Sequence, residues 1–159
     1  MSADKNAFRY APNEKQLQLF CQQQKGKVIN EWTCPASKVV RKDGPFCVIS
    51  DKVGRTQVTN GCTGTYGLGP EFFSACLMHD MCYHNHGVMN GGTKEACDGK
   101  FMRDMYEICD SYIGESAVLA VTCYAIAQRA FYGAVHLFGR NSWNCSAENV
   151  EYPQNINEL

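Results

Sequence analysis

Hydrophobic and polar positions along the chain follow two regimes. Along residues 13–24, Leu17, Phe20 and Cys21 share one helical face among polar neighbours, which predicts a short helix. Asn13, after Pro12, can cap it, with Gln16 at the third helical position. Residues 27–58 read instead as short extended pieces. Val39-Val40 and Phe46-Cys47-Val48-Ile49 flank Asp43-Gly44-Pro45, a turn signal. Residues 59–70 hold Gly61, Gly64, Gly67, Gly69 and Pro70 and are predicted as a loop.

Three helices are predicted beyond that loop. The first starts near Pro70, a residue tolerated at a first helical position, and stops by Gly87. The second runs from a Thr93 cap to Gly114, and the third from Ser116 to Gly139. In the third, Leu119, Cys123, Ile126, Ala130, Ala134 and Leu137 are spaced to line an apolar face. The pattern gives a mainly α fold with a small β or irregular N-terminal part. With 159 residues, 45% hydrophobic and net charge −1, the chain suits one domain with a real core and is not disordered. The longest apolar stretch, Ala117 to Phe138, is broken by Gln128, Arg129 and His136, so a spanning helix is not expected.

Composition adds two constraints. Ten cysteines and no Cys-x-x-Cys pair favour a disulfide framework made in an oxidising compartment over a cytosolic zinc site, so the chain is expected to be secreted. Residues 1–20 lack the apolar core of a signal peptide, which fits a mature or processed chain. Asn144-Cys145-Ser146 is a glycosylation sequon. Residues 1–55 carry ten basic and five acidic groups, and residues 56–159 five and eleven. The acidic remainder argues against nucleic acid as main partner and leaves room for a cation.

The stretch that carries chemistry is NGCTGTYGLGPEFFSACLMHDMCYHNHG, residues 60–87. Glycines let a loop turn backbone carbonyl oxygens inward, and hard cations such as calcium want oxygen ligands. Asp80 supplies a carboxylate beside that loop. His79, one position earlier, points about 100° away, so a base and a cation can sit side by side without the imidazole ligating the metal. His79, Cys82 and Tyr83 fall on one helical face, and Cys97 precedes Asp98 in the next helix. If Cys82 bonds Cys97, Asp98 can accept from one ring nitrogen of His79 and leave the other as a free base.

These residues resemble the secreted phospholipase A2 superfamily. ACLMHDMCY matches its His-Asp-x-Cys-Tyr helix, CDGKFMRDMYEIC (97–109) resembles the second-helix segment of its bacterial and fungal-type branch, and AFYGAVHLFG (130–139) that branch's last helix. The resemblance covers residues 60–139, with the cysteines outside it suggesting a conodipine-like elaboration. It implies one phospholipase A2-like domain over 1–159, with disulfide-rich antiparallel helices, an N-terminal elaboration (1–56), a catalytic core (57–139) and a C-terminal tail (140–159). It also implies calcium-dependent hydrolysis of the sn-2 ester of a glycerophospholipid at a membrane surface. His79 would activate a water, Asp98 would orient His79, Tyr83 would support Asp98, and Asp80 would bind calcium.

Two ligand sets follow for the loop. Against the animal enzymes, the carbonyls of Thr65, Gly67 and Gly69 would join Asp80. Against the bacterial branch, Asn60 stands where that branch has Asp, followed by the Gly61 carbonyl. An amide oxygen ligates without the charge, so calcium would be held more weakly. The family implies disulfides Cys62–Cys76, Cys82–Cys97 and Cys109–Cys123; Cys21, Cys34, Cys47 and Cys145 allow three pairings. The alternative function is a catalytically silent lipid-binding or toxin protein that keeps the fold. Oligomeric state is not read from the sequence.

Other residues have plainer readings. His84 and His86 are expected as solvated helix-end residues rather than zinc ligands. Tyr66, Leu68, Phe72 and Phe73 could insert among lipid headgroups, although one of the adjacent phenylalanines is expected in the core. Met78, Met81, Met102 and Met105 are expected to fill the core. Asp104 and Asp110 are expected as surface or network residues.

Overall fold

The computed structural model describes residues 13–34, 38–50, 56–62, 70–84, 93–132, 135 and 139–147. Helix α1 (Asn13–Gln23) leads into β1 (Lys27–Ile29), β2 (Trp32–Thr33), β3 (Val40–Arg41), β4 (Phe46–Ser50) and β5 (Thr56–Thr59). A 3-10 turn (Pro70–Phe72) opens α2 (Phe73–His84), followed by α3 (Lys94–Asp110) and α4 (Ala117–Ile126). The α4 backbone passes into a π-helical turn, Ala127–Tyr132, and α5 (Arg140–Ala147) follows. The architecture is mainly α with two small antiparallel sheets, ordered β1-β4-β5 and β2-β3. Asp43-Gly44-Pro45 is thus not a hairpin turn: β3 pairs with β2, β4 with β1 and β5, and the segment carries the chain between sheets.

Side chains explain the helix boundaries. The Thr93 hydroxyl accepts from the Ala96 N–H and the Ser116 hydroxyl from the Leu119 N–H, each satisfying an orphan donor of a first turn. Helix α3 ends at Asp110, short of Gly114, and turns fill 111–115. The third predicted helix differs more. Its buried face is Ala120, Cys123, Ala127 and Phe131, whereas Leu119 is 52% exposed. The Cys109–Cys123 disulfide fixes that face, and a stretch as uniformly apolar as AVLAV cannot choose one by periodicity.

All ten cysteines are paired: Cys21–Cys47, Cys34–Cys145, Cys62–Cys76, Cys82–Cys97 and Cys109–Cys123. The three pairs implied by the resemblance form, and Cys21 and Cys34 select among the open alternatives. Each apolar cluster contains a disulfide. Phe72, Phe101, Met105 and Phe131 surround Cys109–Cys123; Trp32, Phe46, Val48 and Val58 surround Cys34–Cys145; Leu17, Ile49, Phe73 and Leu77 surround Cys21–Cys47. Phe72 and Phe73 are both buried, so neither is an interfacial residue; Tyr66 and Leu68 lie outside the described residues. Met105 is core as expected, but Met78 is 47% exposed. Asp104 pairs with Lys100 and Asp110 accepts from the Tyr124 hydroxyl, both network roles. Asn144 is exposed. Among the described residues no helix is long and apolar enough to cross a membrane.

Candidate active site

Helices α2 and α3 run side by side, tied by Cys82–Cys97. That bond brings His79 and Tyr83 against Asp98, which is fully buried. His79 Nε2 lies 2.8 Å from Asp98 Oδ1, and the Tyr83 hydroxyl donates to the same oxygen at 2.6 Å. The imidazole is stacked on Phe101 at 4.6 Å between centroids and tilted against Tyr83 at 4.2 Å. Trp143 of α5 meets the Tyr83 ring edge-on at 5.4 Å, so the predicted tail helps hold the site.

Lys94 completes the cluster and was not anticipated from the sequence. Its ammonium, 3% exposed, donates to Asp98 Oδ2 at 2.6 Å and to the Val135 carbonyl at 2.8 Å. The signal was the i, i+4 spacing from Asp98 on α3, masked because such pairs are commonly surface ornaments.

Burial pushes the Asp98 carboxyl up, but hydrogen bonds from His79, Lys94 and Tyr83 outweigh it and hold Asp98 below the ordinary 3.8. Burial and the hydrogen bond to Asp98 raise the Tyr83 phenol, which stays a donor. An ionised carboxylate only accepts, so Nε2 of a neutral His79 carries the hydrogen and Nδ1 the lone pair. The arrangement therefore supplies one oriented basic nitrogen in an apolar setting.

On the other face of α2, Asp80 Oδ2 accepts from the Thr59 hydroxyl at 2.6 Å and the Asn60 N–H at 3.3 Å. Desolvation nonetheless raises its carboxyl above 3.8, against the lowering by Thr59, by the charges of His79 and Arg41, and by Asn60. A carboxylate so placed gains from a cation. Asn60 spends its amide nitrogen on the Asp43 carbonyl and carboxylate, both at 3.2 Å, which leaves its side-chain oxygen for a ligand.

Asn13 does not serve as a simple cap. Its amide donates to the Asn60 carbonyl at 2.9 Å and accepts from the Cys62 N–H at 2.8 Å, pinning residues 60–62 onto α1. Gly61 has φ +67, and a Cβ there would lie 2.4 Å from the Asn13 oxygen, so only glycine fits this clasp. Asp80, Asn60 and the Gly61 carbonyl thus suit a hard cation chemically. Thr65, Gly67, Gly69 and His86 lie outside the described residues. Among the described residues no three His, Cys, Asp or Glu side chains converge on a metal position. His84 is half-buried and lines a cavity with Asp80 and Arg41 rather than standing in solvent.

Residues 54–139 match the family model described as prokaryotic phospholipase A2. Conodipine-P2 and Conodipine-P1 of Conus purpurascens are each 35% identical over 83 residues, and Conodipine-P3 of the same snail is 36% identical over 83. The aligned stretch covers 51% of this chain and 44% of each relative, so the chain spans less than half the length of the relatives it matches. No solved structure gives a significant match. With a His-Asp helix, a buried partner aspartate and more than half its length matched, the chain belongs to the prokaryotic phospholipase A2 family.

Proposed function

We propose that this chain is a secreted, calcium-dependent phospholipase A2 that acts at a phospholipid membrane surface as a single domain over residues 1–159, releasing a fatty acid and a lysophospholipid. The observation that carries the reading is the 2.8 Å contact of His79 Nε2 with Asp98, beside Asp80 on the next residue. His79 Nδ1 takes a proton from a water poised against the sn-2 ester, and the water oxygen attacks the carbonyl carbon without an acyl-enzyme. The imidazolium returns the proton to the departing glyceryl oxygen. Asp98 stabilises the imidazolium while Tyr83 and Lys94 keep that carboxylate ionised and in one orientation. Asp80, Asn60 and the Gly61 carbonyl would hold calcium, which when bound polarises the ester carbonyl and attracts the lipid phosphate. Thr65, Gly67 and Gly69 are the second candidate ligand set. The five disulfides fit an oxidising, extracellular setting.

One observation favours the silent reading: Asn60 brings no charge to the cation position, so calcium affinity is the quantity at risk. His79→Gln tests the mechanism. Its near-UV circular dichroism should match the parent, and fatty-acid release from phosphatidylcholine vesicles should fall by about two orders of magnitude or more. Retained hydrolysis in that variant would remove His79 from the reaction.

A further inference from the structure

Helix α4, AVLAVTCYAI, is apolar on nearly every side, a composition that suits a helix with neighbours all round. No charged residue falls between Glu115 and Arg129. Yet only one side is covered: Ala120 and Cys123 are buried, held against the core by Cys109–Cys123. Val118, Val121, Thr122 and Ala125, spaced i, i+3, i+4 and i+7, lie on the opposite side and are all exposed. Val118 is 74% exposed and Val121 67%, with exposed Leu119 bordering them. Exposed aliphatic residues scattered singly are ordinary, whereas a continuous stripe of them marks a contact surface.

Two features decide what covers the stripe. A helix that lies in a membrane interface carries lysine or arginine along its polar flank and aromatic residues on its apolar side. Residues 104–128 contain no lysine, arginine or histidine, and the stripe has no aromatic residue. Exposed Glu107, Asp110 and Glu115 precede it. That composition disfavours a lipid surface and suits packing against a second helix. The other feature is the placement of charge. Glu115 stands just before α4, and Arg129 lies in the π-helical turn that follows it. Both are exposed, and neither side chain has an ion pair or hydrogen bond among the described residues. If two copies of α4 pack antiparallel about Thr122, Glu115 of each approaches Arg129 of the other. Val118 of each then comes opposite Ala125, a larger side chain against a small one.

We propose that the exposed side of α4 is the contact surface of a symmetric homodimer, in which two copies of α4 pack antiparallel with a Glu115–Arg129 pair at each end. A two-fold contact uses the same patch on both copies, so assembly closes at two. The proposal does not depend on the phospholipase reading. One helix pair belongs with the smallest specific interfaces, below about 1,200 Å2, so a weak dissociation constant of about 10 µM is expected. A competing account gives Glu115 and Arg129 only the ends of their own helix dipole, where their signs are also favourable.

The test is sedimentation equilibrium of the full, oxidised chain from about 1 to about 300 µM, a range that brackets the expected constant. The parent should pass from one copy to two. Val121→Glu should weaken the dimer by about tenfold or more, with a melting temperature near the parent's because the side chain is exposed. Glu115→Arg and Arg129→Glu should each weaken it by about fivefold, since like charges then meet at both ends. An equimolar mixture of those two variants should dimerise at least as tightly as the parent, because only the mixed dimer has opposite charges at both ends. A parent that stays single throughout, or a dimer that Val121→Glu leaves intact, would overturn the surface. Charge variants that dimerise like the parent, or a mixture no tighter than either alone, would overturn the antiparallel arrangement. Val121-dependent binding of phosphatidylcholine vesicles by a parent that stays single would assign the stripe to lipid and overturn the homodimer.

Discussion

Lys94→Met removes a buried charge that donates to Asp98 and to the Val135 carbonyl. Methionine keeps most of the stem's volume, so cavity formation is a minor part of the loss. Asp98, 0% exposed, keeps its bonds from His79 and Tyr83 but loses the ammonium on its second oxygen. Breaking a buried pair by deleting one partner costs about 3–5 kcal/mol, because the other charge stays buried and uncompensated. The assay is urea unfolding at pH 7 with disulfides intact, on Lys94→Met, Asp98→Asn and the double variant. Neutralising Asp98 removes the charge that Lys94 compensates, so the double variant should be more stable than the sum of the singles predicts, by about 1–3 kcal/mol. A single-variant loss below about 1 kcal/mol, or strict additivity, would refute a Lys94 that acts through Asp98.

Acid should destabilise the protein through the same carboxylate. Asp98 is held below 3.8 when folded, so its contribution is present above the unfolded value and is lost as pH falls through the folded one. Unfolding midpoints followed below about pH 4 should drop more steeply in the parent than in Asp98→Asn, and parallel curves would contradict this. Calcium should raise the parent's melting temperature, by about 2.7 kcal/mol of stability at a hundredfold excess over Kd. Asp80→Asn should not respond to calcium, and an equal shift in both would place the cation elsewhere.

What was legible in the sequence was local or carried by motif. The Thr93 and Ser116 caps, the His-Asp helix and the meeting of His79, Tyr83 and Asp98 all follow from spacing plus one disulfide. What was missed depends on long-range contact. Helix α5, RNSWNCSA, is short and mostly polar, and the Cys34–Cys145 bond that anchors it spans 111 residues. Lys94 reads as an ordinary helix-surface lysine until Val135, 41 residues away, closes over it. The Asn13 clasp on residues 60–62 joins positions 47 and 49 apart, and helix-capping rules alone assign that side chain to its own helix. The buried face of α4 was misjudged because valine and leucine surround that helix, and only Cys123 marks the inner side.

The central claim is a base at His79 paired with a cation at Asp80, acting on one ester of a phospholipid. Phosphatidylcholine vesicles with different acyl chains at sn-1 and sn-2 test it most directly, with millimolar calcium and then with excess chelator. The account predicts release of the sn-2 acid only, and its loss on chelation. Release from sn-1, release that survives chelation, or no release at any calcium level from the fully oxidised chain would contradict it.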